Sequence, residues 1–130
     1  MIGIVIVAHG GLAKEYLAAV EHVVGHQEGI RAISIEPDHD RGQKQKEICL
    51  AADSVDGGDG VIVVTDMFGG SPSNLSLMAC AAKNRRILYG ANLPMLIKLA
   101  KSRHRTVPEA AQCALTAGRK YIDSCDVSAD

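Results

Sequence analysis

The stretch VIVVTDMFGGSPSN, residues 61–74, sets a run of mostly β-branched apolar side chains directly against an acid, a glycine pair and a Ser-Pro step. The run is short and lacks polar alternation, which is how a strand covered on both faces reads. Turn chemistry follows. Gly69 and Gly70 free the backbone, and Ser71-Pro72 opens a helix, because the missing proline N–H is no loss in a first turn. A buried strand that feeds straight into a helix is the repeating unit of a parallel sheet.

The same unit recurs on either side. IGIVIVA at 2–8 is a second unbroken Ile/Val run, and it too ends in a polar-glycine turn, His9-Gly10-Gly11. IRAISI (30–35) and RILYGA (86–91) are more mixed and suit flanking strands. Helical patterns fill the gaps. Residues 12–24 set Leu12, Tyr16, Val20 and Val23/Val24 on one face, residues 42–52 make a weaker helix, and residues 72–83 stack Leu75, Met78, Ala79 and Ala82. Asn92 can cap a fourth helix, and Thr106-Val107-Pro108-Glu109 has capping-box spacing for a fifth, with Gly118 at its end. GRKYIDS (118–124) has the character of a short terminal strand. Four strand–helix alternations predict a single α/β domain over 1–130, with helices on both faces of a mostly parallel sheet in the order 2-1-3-4.

Composition narrows the function. A chain of 130 residues buries about two-thirds of its unfolded surface, enough for a core without staples. A formal net charge of -1 and 3% aromatic residues argue against a nucleic-acid binder, which carries a basic face or stacking platforms. RHR at 103–105 reads as a solvated helix end. Cys49, Cys80, Cys113 and Cys125 match neither zinc-site nor disulfide-framework spacing, and the first three read as small buried thiols in helices. MIGIVIVAHGG lacks a signal peptide's basic start, and no apolar run approaches a membrane span, so the expectation is a reduced, cytoplasmic protein without direct membrane insertion.

In a sheet of this order, ligands bind beyond the strand ends where the winding switches, between strands one and three. His9 and Asp66 are expected side by side there. A carboxylate that accepts from one imidazole nitrogen fixes the tautomer and leaves the other nitrogen with its lone pair, a competent nucleophile. Gly69 and Gly70 let backbone N–H groups turn inward, and Ser71 is expected to cap the following helix. Nucleophile and oxyanion cradle together suit phosphoryl transfer onto His9. No Lys or Arg is expected near strand three to offset the phosphate charge. His22 and His26 read as solvated, His104 as a helix-end ring, and His39 in EPDHDRG as part of a loop leading to an N-cap rather than a metal site. No GxxxxGK[ST] is present, so a nucleotide is not the expected donor. No cofactor and no metal are required. A non-covalent anion-binding module and a hydrolase using His9 and Asp66 on water stand as rivals.

AHGGLA, TDMFGGSPSN and GANLPML, in that order, resemble the enzyme IIA domain of the mannose family of the bacterial phosphoenolpyruvate–sugar phosphotransferase system. The resemblance spans the whole chain. It implies a flavodoxin-like α/β/α sandwich, usually a homodimer, with an antiparallel C-terminal strand exchanged between subunits at GRKYIDS. It further implies a phosphotransferase component: His9 receives phosphate from the carrier HPr and passes it to enzyme IIB, Asp66 orients His9, and Gly70 and Ser71 hold the phosphoryl group. Sugar-transporting members often carry Trp where Phe68 stands and Phe where Ser73 stands. A free-standing regulatory phosphocarrier, signalling nutrient state without transport, is therefore the alternative within the same chemistry.

Overall fold

A computed structural model describes residues 1–82 and 84–128. In it the four apolar runs form one parallel sheet: β1 (Gly3–His9), β2 (Ile30–Ile35), β3 (Val61–Thr65) and β4 (Arg85–Leu88), in the order β2-β1-β3-β4. The helices are α1 (Leu12–Val24), α2 (Arg41–Val55), α3 (Ser71–Ser76), α4 (Leu93–Lys101) and α5 (Val107–Lys120). β1 and β3 are aliphatic on both sides because both sides are covered. Ile4, Ile6, Ile62 and Val64 join the core beneath α1, α4 and α5, whereas Val5, Val7, Val61 and Val63 join the core beneath α2 and α3. Each such side chain contributes about 1.5–3 kcal/mol by leaving water.

Strand parity then aims the strand ends. His9 shares the parity of Val5 and Val7, so it turns to the α2/α3 face. His9 pairs with Ile35 of β2, while Val7 pairs with Thr65 of β3. The carboxyl ends of β1 and β2 therefore lie level, and β3 ends two residues lower, which leaves Asp66 beside the end of β1.

Capping follows the sequence closely in three helices. Asp40 accepts from the Gln43 N–H at the start of α2, Asn92 accepts from Met95 N–H at the start of α4, and Thr106 and Glu109 form a full capping box on α5. Elsewhere the structure departs from expectation. In α1, Leu12 and Val23 are exposed, and Ala13 and Val20 are the buried positions. The helix expected over 72–83 is α3 plus a single 3₁₀ turn at Met78–Cys80, and its expected end, Lys83, lies outside the described residues. The Ser73 and Ser76 hydroxyls donate back to the carbonyls of Gly70 and Pro72, a pattern that bends and shortens helices. The Cys49, Cys80 and Cys113 thiols are half-buried rather than buried, and burial pushes Cys80 up to about 11.

At the C-terminus, Gly118 does not end α5. It lies buried against Met95, and its carbonyl accepts from the Asn92 side chain, so the helix runs on to Lys120. The expected terminal strand is not formed: residues 122–126 carry no strand, and the described sheet has four.

Arg103 is not a solvated helix end. It is 2% exposed, and its guanidinium donates to the Ile2 carbonyl at 2.8 Å, the Gly29 carbonyl at 3.2 Å and the Gln27 side chain at 3.3 Å. Burial pulls its pKa below the usual arginine value. The side chain pins the amino ends of β1 and β2 to the turn after α4. Arg103→Leu leaves the Ile2 carbonyl without its side-chain donor, whereas the Gly29 carbonyl keeps the Ile4 N–H at 3.0 Å, and a loss of about 2 kcal/mol is expected. Urea denaturation read by circular dichroism checks this; a midpoint equal to the parent's would show that Arg103 carries no structural weight.

Candidate functional site

His9 ends β1 and Asp66 follows β3 directly. The His9 Nδ1 lies 2.8 Å from Asp66 Oδ2, and the His9 backbone N–H donates to the same oxygen at 3.0 Å. An ionised carboxylate can only accept, so the ring proton sits on Nδ1 and the Nε2 lone pair is left free. The two partners differ in exposure: the His9 side chain is 48% exposed and that of Asp66 12%. The imidazole therefore meets solvent while the carboxylate bonded to it is covered. Burial pushes the Asp66 carboxyl up, but the hydrogen bonds from the His9 backbone and ring outweigh it and hold the group below the usual carboxylate range. A depressed carboxyl adds stability that is present above its unfolded pKa and lost as pH falls through the folded one. Oδ1 of Asp66 is buried without a hydrogen-bond partner, as is Thr65 Oγ1.

The glycine pair divides its labour. Gly69 stands at φ +81, a conformation that side chains rarely adopt, and so makes the turn. Its N–H is spent on Ser73 Oγ at 3.0 Å and does not face the ring. Gly70 has ordinary angles, φ -83 and ψ 175, and matters through proximity: a Cβ there would stand 3.4 Å from His9 Cε1. Gly70, not Ser71, is the N-cap of α3, and Ser71 is the first helical residue with no capping bond from its hydroxyl. The N–H groups of Gly70 and Ser71 have no acceptor among the described residues.

One group at the site escaped the sequence reading. Arg41, first residue of α2, donates from Nη1 to Ser71 Oγ at 3.3 Å. Arg41, Lys44, Glu36 and His39 line a cavity of about 320 Å³ together with His9 and Ser71. The expectation that no cation stands near is thus corrected. The signal lay in the strand order: β2 flanks β1, so the chain leaving Ile35 passes beside His9. His22, His26 and His104 do not line this cavity; His26 pairs with Glu21 at 3.0 Å.

Residues 3–114 match the family described as PTS system fructose IIA component, EIIA-man. The PTS system mannose-specific EIIAB component of Escherichia coli is 28% identical over 124 residues, 93% of this chain. The match spans only 38% of that relative's length. Among solved structures, the mannose/sorbose specific IIA subunit of the phosphotransferase system from Enterococcus faecalis superposes with a TM-score of 0.85 at 25% identity, covering 97% of this chain and 96% of that one. The phosphotransferase system component EIIA from Streptococcus agalactiae gives 0.80 at 27% identity, covering 95% and 97%. The α/β architecture with its parallel sheet is thus that of the flavodoxin-like enzyme IIA proteins, and the chain belongs to the mannose-type enzyme IIA family of the phosphotransferase system. No helix among the described residues is long and apolar enough to cross a membrane.

The tautomer can be tested directly. Asp66→Asn keeps the shape but can present an N–H to Nδ1, which moves the ring proton to Nε2. Nitrogen-15 NMR of the neutral His9 ring should show the protonated and lone-pair nitrogens exchanged. A pattern identical to the parent's would mean that Asp66 does not set the ring.

Proposed function

We propose that this protein is a phosphohistidine carrier: His9 takes a phosphoryl group from phosphorylated HPr and hands it to an enzyme IIB. The observation that carries this reading is the 2.8 Å bond between Asp66 and His9 Nδ1, which leaves Nε2 of a half-exposed ring free to attack. In the transfer, the Nε2 lone pair forms a bond to phosphorus, the bond from phosphorus to the donor breaks, and its electron pair leaves with the donor. The Nδ1 proton stays against Asp66, whose carboxylate offsets the positive charge that the ring takes on. The second transfer reverses these steps toward the acceptor. Gly70 and Ser71 supply backbone N–H groups, and Ser71 its hydroxyl, to the phosphoryl oxygens; Gly69 shapes the turn that aims them.

Such a carrier must meet two proteins in turn. Leu12, Met67 and Phe68 follow His9 and Asp66 within three residues and are exposed, Phe68 at 75%, with its ring edge-on to Tyr89 at 4.8 Å. An apolar rim around a reactive ring suits transient protein docking. Both exchanges take place in the cytoplasm. The protein acts as a homodimer: β4 is a sheet edge, and beyond α5 the chain carries Tyr121, Ile122 and Val127 exposed without a strand partner. A segment of that kind pairs with a second copy's edge.

Incubation with phosphorylated HPr should place one acid-labile, base-stable phosphate on the parent and none on His9→Ala, read by mass spectrometry. Phosphorylation of His9→Ala to the parent's level would remove His9 as the acceptor. Gly70→Ala should still accept phosphate, since its Cβ makes an ordinary contact, whereas the branched Gly70→Val should block it by crowding Cε1. For assembly, truncation after Lys120 should lower the sedimentation coefficient to that of a monomer; an intact chain that already sediments as a monomer sinks the exchange.

A further inference from the structure

We propose that Arg41 is the cation that this chain itself brings to the phosphoryl group on His9, an inference that rests on the reading of His9 as phosphoryl acceptor. The register places it. β1 and β2 run parallel with His9 opposite Ile35, so residues 36–40 depart from beside the imidazole. Within that turn the Glu36 N–H donates to His39 Nδ1 at 3.0 Å, and Asp40 accepts from the Gln43 N–H at 2.9 Å as the cap of α2. These two bonds fix the path that delivers Arg41 to the mouth of the site. Its guanidinium reaches Ser71 Oγ at 3.3 Å, next to Gly70, whose Cβ position lies 3.4 Å from the imidazole.

The charges around the cavity leave it alone in that role. A phosphorylated side chain adds about two negative charges near neutral pH, and Asp66 already holds one against the same ring. Lys44 lines the cavity but is paired with Glu47 at 2.9 Å. His39 accepts at Nδ1 from an N–H, so that nitrogen carries no proton and the ring is neutral. Glu36 is an anion. Arg41 has no carboxylate within ion-pair distance among the described residues, and its one hydrogen bond occupies one of five guanidinium donors. What acts is the full positive charge set beside the phosphoryl oxygens, and the hydroxyl now held by Arg41 becomes a shared neighbour rather than a competitor.

A residue that touches the phosphoryl group stabilises the phosphorylated protein itself, so it must shift the equilibrium of exchange with HPr. A residue that only docks HPr changes both rates alike and leaves that equilibrium untouched. The experiment is therefore the equilibrium between phosphorylated HPr and the full chain, measured from both directions by mass spectrometry for the parent, Arg41→Gln and Arg41→Lys. Arg41→Gln should move it toward phosphorylated HPr by about tenfold or more, the scale of one charge-assisted hydrogen bond, while Arg41→Lys stays within about threefold of the parent. An Arg41→Gln equilibrium equal to the parent's overturns the assignment, and so does an Arg41→Lys shift as large as that of Arg41→Gln, because charge would then not be what acts. A parent that takes no phosphate from HPr removes the carrier reading and this inference with it, an outcome separate from the other two.

Discussion

β1 is hydrogen-bonded along both edges and covered on both faces, and that double confinement governs everything around it. Ile4 and Ile6 belong to one core and Val5 and Val7 to the other. Slipping the strand by one residue would exchange the two sets, and with them the side to which His9 turns. Nothing in the β1 sequence distinguishes its faces by polarity, so the register has to come from its neighbours. Ile30–Ile35 on one side and Val61–Thr65 on the other supply it through parallel ladders. Arg103 then closes the amino ends by taking the carbonyls of Ile2 and Gly29. The carboxyl ends are left open, and the candidate site lies there.

The site is a balance between opposed demands on charge. A covered carboxylate is needed to orient the imidazole, and burial alone would drive Asp66 toward its neutral form. Two hydrogen bonds to a single oxygen reverse that tendency. The same anion would disfavour a phosphoryl group on the far side of the ring, were the proposed transfer to place one there. Neutral donors from Gly70 and Ser71 would soften that repulsion. A fully charged cradle would hold phosphate too firmly for a relay, and a bare surface would not hold it at all. One guanidinium on a flexible side chain at the rim lies between those limits.

Much of this was legible because it rests on local pattern. The two Ile/Val runs, the capping residues Asn92 and Thr106, and the turn glycines all speak through nearest neighbours, and the strand order followed from the contrast between apolar and mixed strands. His9 and Asp66 could be brought together because both directly follow central strands. Arg41 was not found because its relation to Ser71 spans thirty positions and runs through a turn whose direction no local pattern encodes. Arg103 was misread for a related reason: three successive basic letters look solvated, and only the tertiary fold brings the Ile2 and Gly29 carbonyls to the first of them. The terminal segment misled in the opposite sense. Gly118 has the signature of a helix end, yet here it is the small residue that lets α5 approach Met95 and Asn92 closely. Packing overrode propensity.

Ser73 shows how one small polar residue can tie down a glycine turn. Ser73 is a buried serine whose hydroxyl accepts from the Gly69 N–H and donates to the Gly70 carbonyl. A ring at that position could hold the turn only by packing against it. The serine instead bridges the two glycines through their own backbone, fixing the left-handed residue and the close-approach residue to each other. Because Gly70 lies against the imidazole, whatever stiffens the glycine pair also stiffens the space beside the ring. A donor array held rigid before the group arrives needs no reorganisation at the moment of transfer. The loop that the sequence makes most flexible is thus tied down from beneath by the residue that follows it, while the rim formed by Met67 and Phe68 is left exposed.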